Sequence, residues 1–437
     1  MNCCRNTLIQ KMFALITSIA CLTLTTHAGA AETITEAITS GKSSGSLRYF
    51  YEGVRNPGSP IKADASTARL RFGYETAPFY NFAVMVEAET VHAFGAENYN
   101  STVNGKNGTN GQPNYSVVVD PKGTEMNQAF ISYNELNSQT VIKWGRQRIN
   151  LDNSRFIGTR SWRQNEQTYD SFMLVNNYLP DTTITAGLLT NLNRPNTDAA
   201  IAPFGGQAGN FKMNSSPILN VKYKGLTAGE VVAYGYMLNF DLPASATFAN
   251  RSQFDSTKTL GLRFKGSTPM DSNNLLYTAE YATQSSYKDN PATYTNKYLF
   301  AEGGVDIKIA EFKLSHEVLG GDGTNAFSTP LASLHGVNGW VDKFVTIPAS
   351  GLKDTFFTAA TKIADVNFMA VYRDYRADTG GAKYGTEWNF QATKNFDANY
   401  MVAAKYASFK TSATVQNTTQ PWNFDTNKFW VWGEMKF

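Results

Sequence analysis

Between Lys143 and Arg163 the chain carries six cations, Lys143, Arg146, Arg148, Arg155, Arg160 and Arg163, against a single acid, Asp152. The local charge is +5 in a chain that has 39 basic and 36 acidic residues overall. A guanidinium offers a planar fork of donors that grips a carboxylate through two parallel hydrogen bonds. Rings of such groups around a narrow passage favour anions. The same cations can instead pair with Asp152, Glu166 and Asp170 and hold a loop in place, and the residue types leave both readings open. Arg69, Arg71, Lys222, Arg263 and Lys265 are further cations that alternate with apolar neighbours. Glu87 and Glu89 lie two apart and so share a strand face. They suit either general acid–base work or a role as counter-charges to the arginines.

Other chemistry finds little support. Beyond residue 30 the histidines are His92, His316 and His335, the first and last expected in long links and His316 on a strand. No G-x-S-x-G elbow and no H-E-x-x-H zinc helix occurs. The three cysteines, Cys3, Cys4 and Cys21, all precede residue 31, so the remainder has no thiol nucleophile and no disulfide framework. A hydrolase would have to use a strand serine with His316, a matter of geometry. The run Gly320-Gly321-Asp322-Gly323-Thr324-Asn325 could offer calcium Asp322 and Asn325, but it matches no complete EF-hand loop and suits a turn. No cofactor and no metal is called for. The balanced charge speaks against a nucleic-acid partner, which needs a basic excess.

The elements that must position these groups follow from export and alternation. Arg5 and Lys11 precede an apolar stretch from Met12 to Thr25, and Ala28-Gly29-Ala30 is a small-x-small cleavage site, so residues 1–30 are expected to be a removed signal peptide. Aromatic content is 13% with 22 Tyr and 28 Phe, while charged content is only 17%. After residue 31 no apolar run is long enough for a membrane-spanning helix. Only helices and closed barrels cross lipid, because every backbone polar group must be paired there. Period-two alternation fills most of the remainder. Leu70, Phe72 and Tyr74 oppose Arg69, Arg71 and Gly73. Leu219, Val221 and Tyr223 oppose Asn220, Lys222 and Lys224. Leu260, Leu262 and Phe264 oppose Gly261, Arg263 and Lys265. This is the apolar-out, polar-in pattern of a membrane strand. Charge on the lipid face at midplane costs about 2–4 kcal/mol, which assigns Arg146 and Arg148 to the lumen, although Ile142 and Trp144 share their parity.

Eighteen such segments can be drawn, starting near Gly45, Ser66, Phe79, Glu125, Ser138, Gln167, Asp181, Ser216, Gly229, Asp255, Asn273, Thr295, Glu311, Lys353, Asp365, Lys383, Phe396 and Asn427. Short links at 77–78, 134–137, 179–180, 225–228 and 267–272 alternate with long ones at 56–65, 92–124, 149–166, 192–215, 242–254 and 321–352. Short periplasmic turns alternating with long extracellular loops are the mark of an outer-membrane barrel. The expected architecture is all-β: a transmembrane antiparallel barrel over residues 45–437, with 31–44 a short periplasmic segment that leaves no room for a plug domain. A barrel of this width leaves an aqueous bore unless a loop folds inward. The last segment ends on Phe437, sharing a face with Phe429, Val431, Gly433 and Met435, opposite Trp430, Trp432, Glu434 and Lys436. A terminal Phe on such a strand is similar to the signal read by the barrel-assembly machinery.

Two stretches carry a closer resemblance. One runs Trp144-Gly145-Arg146-Gln147-Arg148-Ile149-Asn150-Leu151-Asp152-Asn153-Ser154-Arg155-Phe156-Ile157-Gly158, and on through Trp162-Arg163-Gln164-Asn165-Glu166. The other is Phe327-Ser328-Thr329-Pro330-Leu331-Ala332-Ser333-Leu334-His335-Gly336, followed by Gly339-Trp340-Val341-Asp342. Both resemble the alginate-export family of outer-membrane porins, as does the first strand, Ser44-Gly45-Ser46-Leu47-Arg48-Tyr49-Phe50-Tyr51. The resemblance implies an 18-stranded monomeric channel in the outer membrane of a Gram-negative bacterium, in contact with lipid. The arginine-rich segment, rather than the resemblance, points to small hydrophilic solutes, anionic or saccharide. The alternative that the resemblance implies is export of an acidic polysaccharide such as alginate.

Overall fold

The computed structural model describes residues 30–57, 61–101, 112, 114–195, 210–241, 256–412 and 420–437. The expected leader, residues 1–30, lies outside these apart from Ala30. A short helix, α1 (Ile34–Thr39), starts on Thr33, whose hydroxyl accepts the Glu36 N–H at 3.0 Å. It docks through Ala37 onto Ala77, at the first short turn.

Eighteen strands follow: β1 (Lys42–Arg55), β2 (Ala63–Glu75), β3 (Phe82–Asn98), β4 (Gly123–Glu135), β5 (Thr140–Gln147), β6 (Thr168–Asn176), β7 (Thr182–Asn193), β8 (Asn210–Leu226), β9 (Gly229–Leu238), β10 (Thr257–Met270), β11 (Asn273–Ser286), β12 (Thr295–Asp306), β13 (Ala310–Leu319), β14 (Leu352–Ile363), β15 (Val366–Arg376), β16 (Lys383–Asn395), β17 (Tyr400–Thr411) and β18 (Thr426–Lys436). Each pairs antiparallel with its neighbours in sequence, and β1 pairs with both β2 and β18, which closes the barrel and leaves no free edge. Gly45 and Phe437 exchange backbone hydrogen bonds at 2.7 and 3.0 Å, so the terminal Phe is built into the seam.

The strand count and order match the sequence expectation, and the boundaries differ locally. The barrel begins at Lys42 rather than residue 45. β8 starts at Asn210 rather than Ser216, because a bulge at Leu189/Asn191 lets pairing run on past the polar Asn214-Ser215. β17 starts at Tyr400 rather than Phe396, because the Asp397 carboxylate accepts the N–H groups of Asn399 and Tyr400 at 2.7 and 2.9 Å and fixes a turn. His92 lies on β3, which extends to Asn98, and not in a link. Links at one end run from two to six residues and at the other from six to 32.

The side-chain sorting follows the alternation. Leu70, Phe72, Leu219, Tyr223, Leu260, Leu262, Phe429 and Val431 are exposed on the outer wall. Arg69, Asn220, Arg263, Trp430 and Trp432 are buried inside it. The apolar core is therefore not an ordinary globular one. It lies within the barrel at the long-link end, where Ile149, Ile157, Phe327, Leu331, Trp340 and Phe344 of two in-folded links pack on Tyr234, Tyr236, Tyr298, Trp430 and Trp432 of the wall.

Candidate solute path and its constriction

The link 148–167 leaves β5 and crosses the bore instead of arching outward. Its partner is the link 320–351. Ile157 and Leu331 form a parallel bridge, Gly158 donates to the Leu331 carbonyl at 2.9 Å, and Ser333 donates to the Ser154 carbonyl at 3.0 Å. A Cβ at position 158 would stand 2.7 Å from the Ser154 Cβ and 2.3 Å from the Ser333 hydroxyl, so any larger residue would force the two links apart. Arg160 completes the joint by donating to the carbonyls of Pro330 and Ala332 at 2.8 and 3.0 Å.

Every cation of the basic segment beyond β5 is committed to a partner across the bore. Arg148 pairs with Glu87 and Glu166. Arg71 pairs with Glu89 and, at 3.4 Å, with Glu166. Asn127 donates to both Glu87 and Glu166 at 2.7 Å, which orients the cluster. Arg155 reaches the far wall, where it meets Glu317 at 2.8 Å and is 1% exposed. Arg163 meets Glu52 at 2.6 Å and Asp342 at 3.5 Å. Asp152 pairs with Lys222 at 3.3 Å and accepts from Asn220 at 2.7 Å. On the wall itself, Arg69 pairs with Glu434 at 3.2 Å and Arg263 with Glu280 at 3.6 Å.

Arg146 corrects the expectation. Its strand neighbour Gln147 and that residue's cross-strand partner Tyr169 are buried inside, at 3% and 0% exposure. Arg146 and its own partner Asp170 therefore face outward, on the side of Trp144 and Phe172, with Arg146 Nε donating to Asp170 at 2.9 Å. Strand parity outweighs the cost of an outward charge because the site lies at the end of the strand, by the rim, and the charge is paired. Neither residue lines the bore, and Asp170 is no counter-charge to the inner arginines. Lys143, one place before Trp144, points inward over the Phe130 ring at 4.7 Å.

Sequence reasoning missed a second cluster, on β1, β16, β17 and β18. His335 Nδ1 lies 2.9 Å from Asp342, and its Nε2 accepts from Lys405 at 2.8 Å. The Trp162 ring stacks on His335 at 4.1 Å with a 3° interplanar angle. Lys405 Nζ lies 3.6 Å from the Trp340 centroid and 4.2 Å from that of Trp162, a desolvated cation–π cage. Asp342 also accepts from Lys428 at 2.8 Å. Gly339 (φ +89°) brings this link against Tyr375 and Glu387, where the Trp340 N–H donates to Glu387 at 2.5 Å. The available signal was inward parity of Glu52, Glu387, Lys405, Lys428 and Trp430 on their strands. Which link would meet them carried no signal.

Burial, and then the adjacent Lys405 ammonium, push the His335 imidazole down to about 3, against the pull of Asp342. Burial opposes ionisation of Asp342, but Lys428 and His335 outweigh it and hold this carboxyl well below the usual range. His335 is therefore neutral at pH 7, with Nδ1–H donated to Asp342 and Nε2 accepting from Lys405. A folded-state value below the unfolded one, about 6.5, means its contribution to loop docking is full above that pH and drains away as pH falls toward 3. In an NMR titration the His335 ring should stay neutral at pH 5; a midpoint near 6.5 would mean that the latch is open.

The remaining chemistry is bland. His316 pairs on the outer wall with the Thr355 hydroxyl at 2.8 Å. Among the described residues neither histidine links a hydroxyl to a carboxylate, and no group of three or more His, Cys, Asp or Glu is arranged for a metal ion. Asp322 accepts the N–H groups of Thr324 and Asn325 at 2.7 and 2.6 Å, a capped turn.

A family model described as alginate export matches residues 59–296, more than half of the chain. The chain belongs to the alginate-export family. No curated protein sequence matches it. Among solved structures, Acinetobacter baumannii OccAB2 is 14% identical with a TM-score of 0.69, over 92% of this chain and 99% of that one. Pseudomonas aeruginosa OpdK, solved with vanillate, is 12% identical with a TM-score of 0.67, again over 92% and 99%. P. aeruginosa OccD3 is 13% identical with a TM-score of 0.64, over 95% and 94%. At these identities the likeness is one of fold. This alginate-export family member thus shares the closed 18-stranded barrel architecture of those outer-membrane porins.

Proposed function

We propose that this barrel is a passive outer-membrane channel of a Gram-negative cell, acting as a monomer, for small hydrophilic solutes with a preference for anions. The observation that carries the reading is the mixed charge of the inner wall. Partly exposed Arg148 and Lys222, with side chains 30% and 26% accessible, can meet a solute. Among the inner cations sit Glu52, Glu87, Glu166, Glu280, Glu317 and Glu434, each paired with one of them. A polyanion needs an unbroken basic track, which this interleaving interrupts at each step. A small carboxylate or acidic sugar needs only one or two guanidinium or ammonium groups at a time. OpdK's vanillate is an aromatic carboxylate of that size class. Insertion through Phe437 and the barrel-assembly machinery belongs to the same reading.

Reversal potentials across a planar bilayer under a potassium chloride gradient should show chloride preferred over potassium. Liposomes carrying the protein should swell faster with glucuronate or vanillate than with neutral sugars of equal size. Clear cation selectivity, or passage of polyuronate with exclusion of small acids, would overturn the proposal.

A further inference from the structure

On the outer wall at the long-link end, Lys353 of β14, Arg376 of β15 and Lys383 of β16 stand directly opposite one another across three adjacent strands. Their side chains are 38%, 55% and 37% accessible. Like charges in direct cross-strand register destabilise a sheet, so nothing in the barrel itself calls for this row. Asp378 meets Lys353 at 3.0 Å, and Asp374 is shared by Arg376 and Lys383 at 3.3 and 3.1 Å. Among these five groups the cations outnumber the carboxylates three to two. Lys410, at the same end of β17, is paired with Asp425 at 2.7 Å.

Two rows further into the wall, Phe357, Tyr372 and Trp388 form a cross-strand aromatic line. Below it the surface falls away. Ala359 opposes Ala370, and Ala392 opposes Ala404. These four small residues, walled by Phe390 and Phe429, cut an apolar trough of about 450 Å³ into the lipid-facing surface.

A cationic row, an aromatic line and an apolar trough, stacked in that order down the same strands, match one kind of occupant. We infer that this face binds a phosphorylated, multiply acylated lipid of the outer leaflet, its phosphates on Lys353, Arg376 and Lys383 and one acyl chain in the alanine trough. Charge complementarity decides against a second copy of the chain, whose apolar wall offers no anion to a row with three cations and two carboxylates. The residues point away from the bore, so the site stands independently of what the channel carries.

Native mass spectrometry of the folded barrel in detergent, with bisphosphorylated lipid A as probe, tests this. The parent should retain one lipid per barrel. Arg376→Glu with Lys383→Glu should lower the retained fraction at least tenfold, and Ala370→Phe with Ala392→Phe severalfold, while heat-modifiable gel mobility and conductance stay at parent values. Should the charge reversal fail to fold, Arg376→Gln with Lys383→Gln should still weaken binding severalfold. Lipid A stripped of its phosphates should bind poorly, and inorganic phosphate alone should not displace the bound lipid. Equal retention by the variants, equal binding of the dephosphorylated lipid, displacement by phosphate, or dimers in place of a lipid adduct would each overturn the inference.

Discussion

Arg155→Ala should release the inner loop and turn a steady, narrow conductance into a larger and noisier one. Arg155 sits at the far end of the crossing link, 1% exposed, with its guanidinium 2.8 Å from Glu317 and its charge over the Tyr298 ring. Glu317 also accepts the Tyr298 hydroxyl at 2.8 Å and is itself buried. Removing one member of a buried ion pair leaves the other charge without compensation, at a cost of about 3–5 kcal/mol. Tenfold per about 1.4 kcal/mol makes this two to more than three powers of ten in the ratio of released to docked loop. The barrel has no need of the pair, since its strands are closed by backbone hydrogen bonds. Heat-modifiable mobility should therefore persist while the 148–167 link becomes a protease site. Arg155→Ala with Glu317→Ala should cost much less than the sum of the single changes, because no orphaned charge remains. Single-channel traces and cleavage patterns identical to the parent would show that the loop is held by its apolar contacts alone.

Arg148→Glu should move the channel from anion toward cation preference, and Arg146→Glu should not. Arg148 is the most accessible guanidinium of the inner cluster and answers both Glu87 and Glu166. Its reversal would add a carboxylate to three already present, with Arg71 the nearest remaining cation. A severalfold fall in the chloride-to-potassium permeability ratio is expected at about 0.1 M salt. The fall should shrink near 1 M, where the Debye length drops from about 10 Å to about 3 Å. Arg146, two residues earlier, faces outward against Asp170. Its reversal sets two like charges side by side at the rim, weakening the strand end and leaving permeation unchanged. Reversal potentials of the two variants decide the matter. Equal shifts from both would place Arg146 in the bore, and no shift from Arg148→Glu would remove the inner cluster from the solute's path.

These two arginines mark how far sequence reasoning reached. Their two-residue spacing implied a shared strand face, which the structure overturns: Arg146 points outward with Trp144 and Ile142, and Arg148 points into the bore. The loop intervened between them: β5 ends at Gln147, so Arg148 is no longer bound by the alternation that governs Arg146. Strand periodicity informs only while the strand lasts. The pairing of Asp152 with Lys222, and of Arg155 with Glu317, joins residues far apart in the chain, and no local pattern encodes such distances. The acids foreseen as partners, Glu166 and Asp170, divided accordingly. Glu166 stayed inside with Arg148 and Arg71, while Asp170 went outside with Arg146.

The amino-acid order by itself determined the barrel. Alternation of apolar and polar side chains is a local property, written every two residues, and lipid outside with polar groups inside admits one sorting of it. Strand number, sequential pairing, closure of the last strand on the first, and the division into short and long links all follow from that repetition. Tertiary structure alone decided what fills the bore. Two links had to fold inward and meet at Ile157 and Leu331 before any arginine could find its carboxylate or His335 its cage. Those contacts form only once the wall has closed and brought opposite strands within reach of one loop.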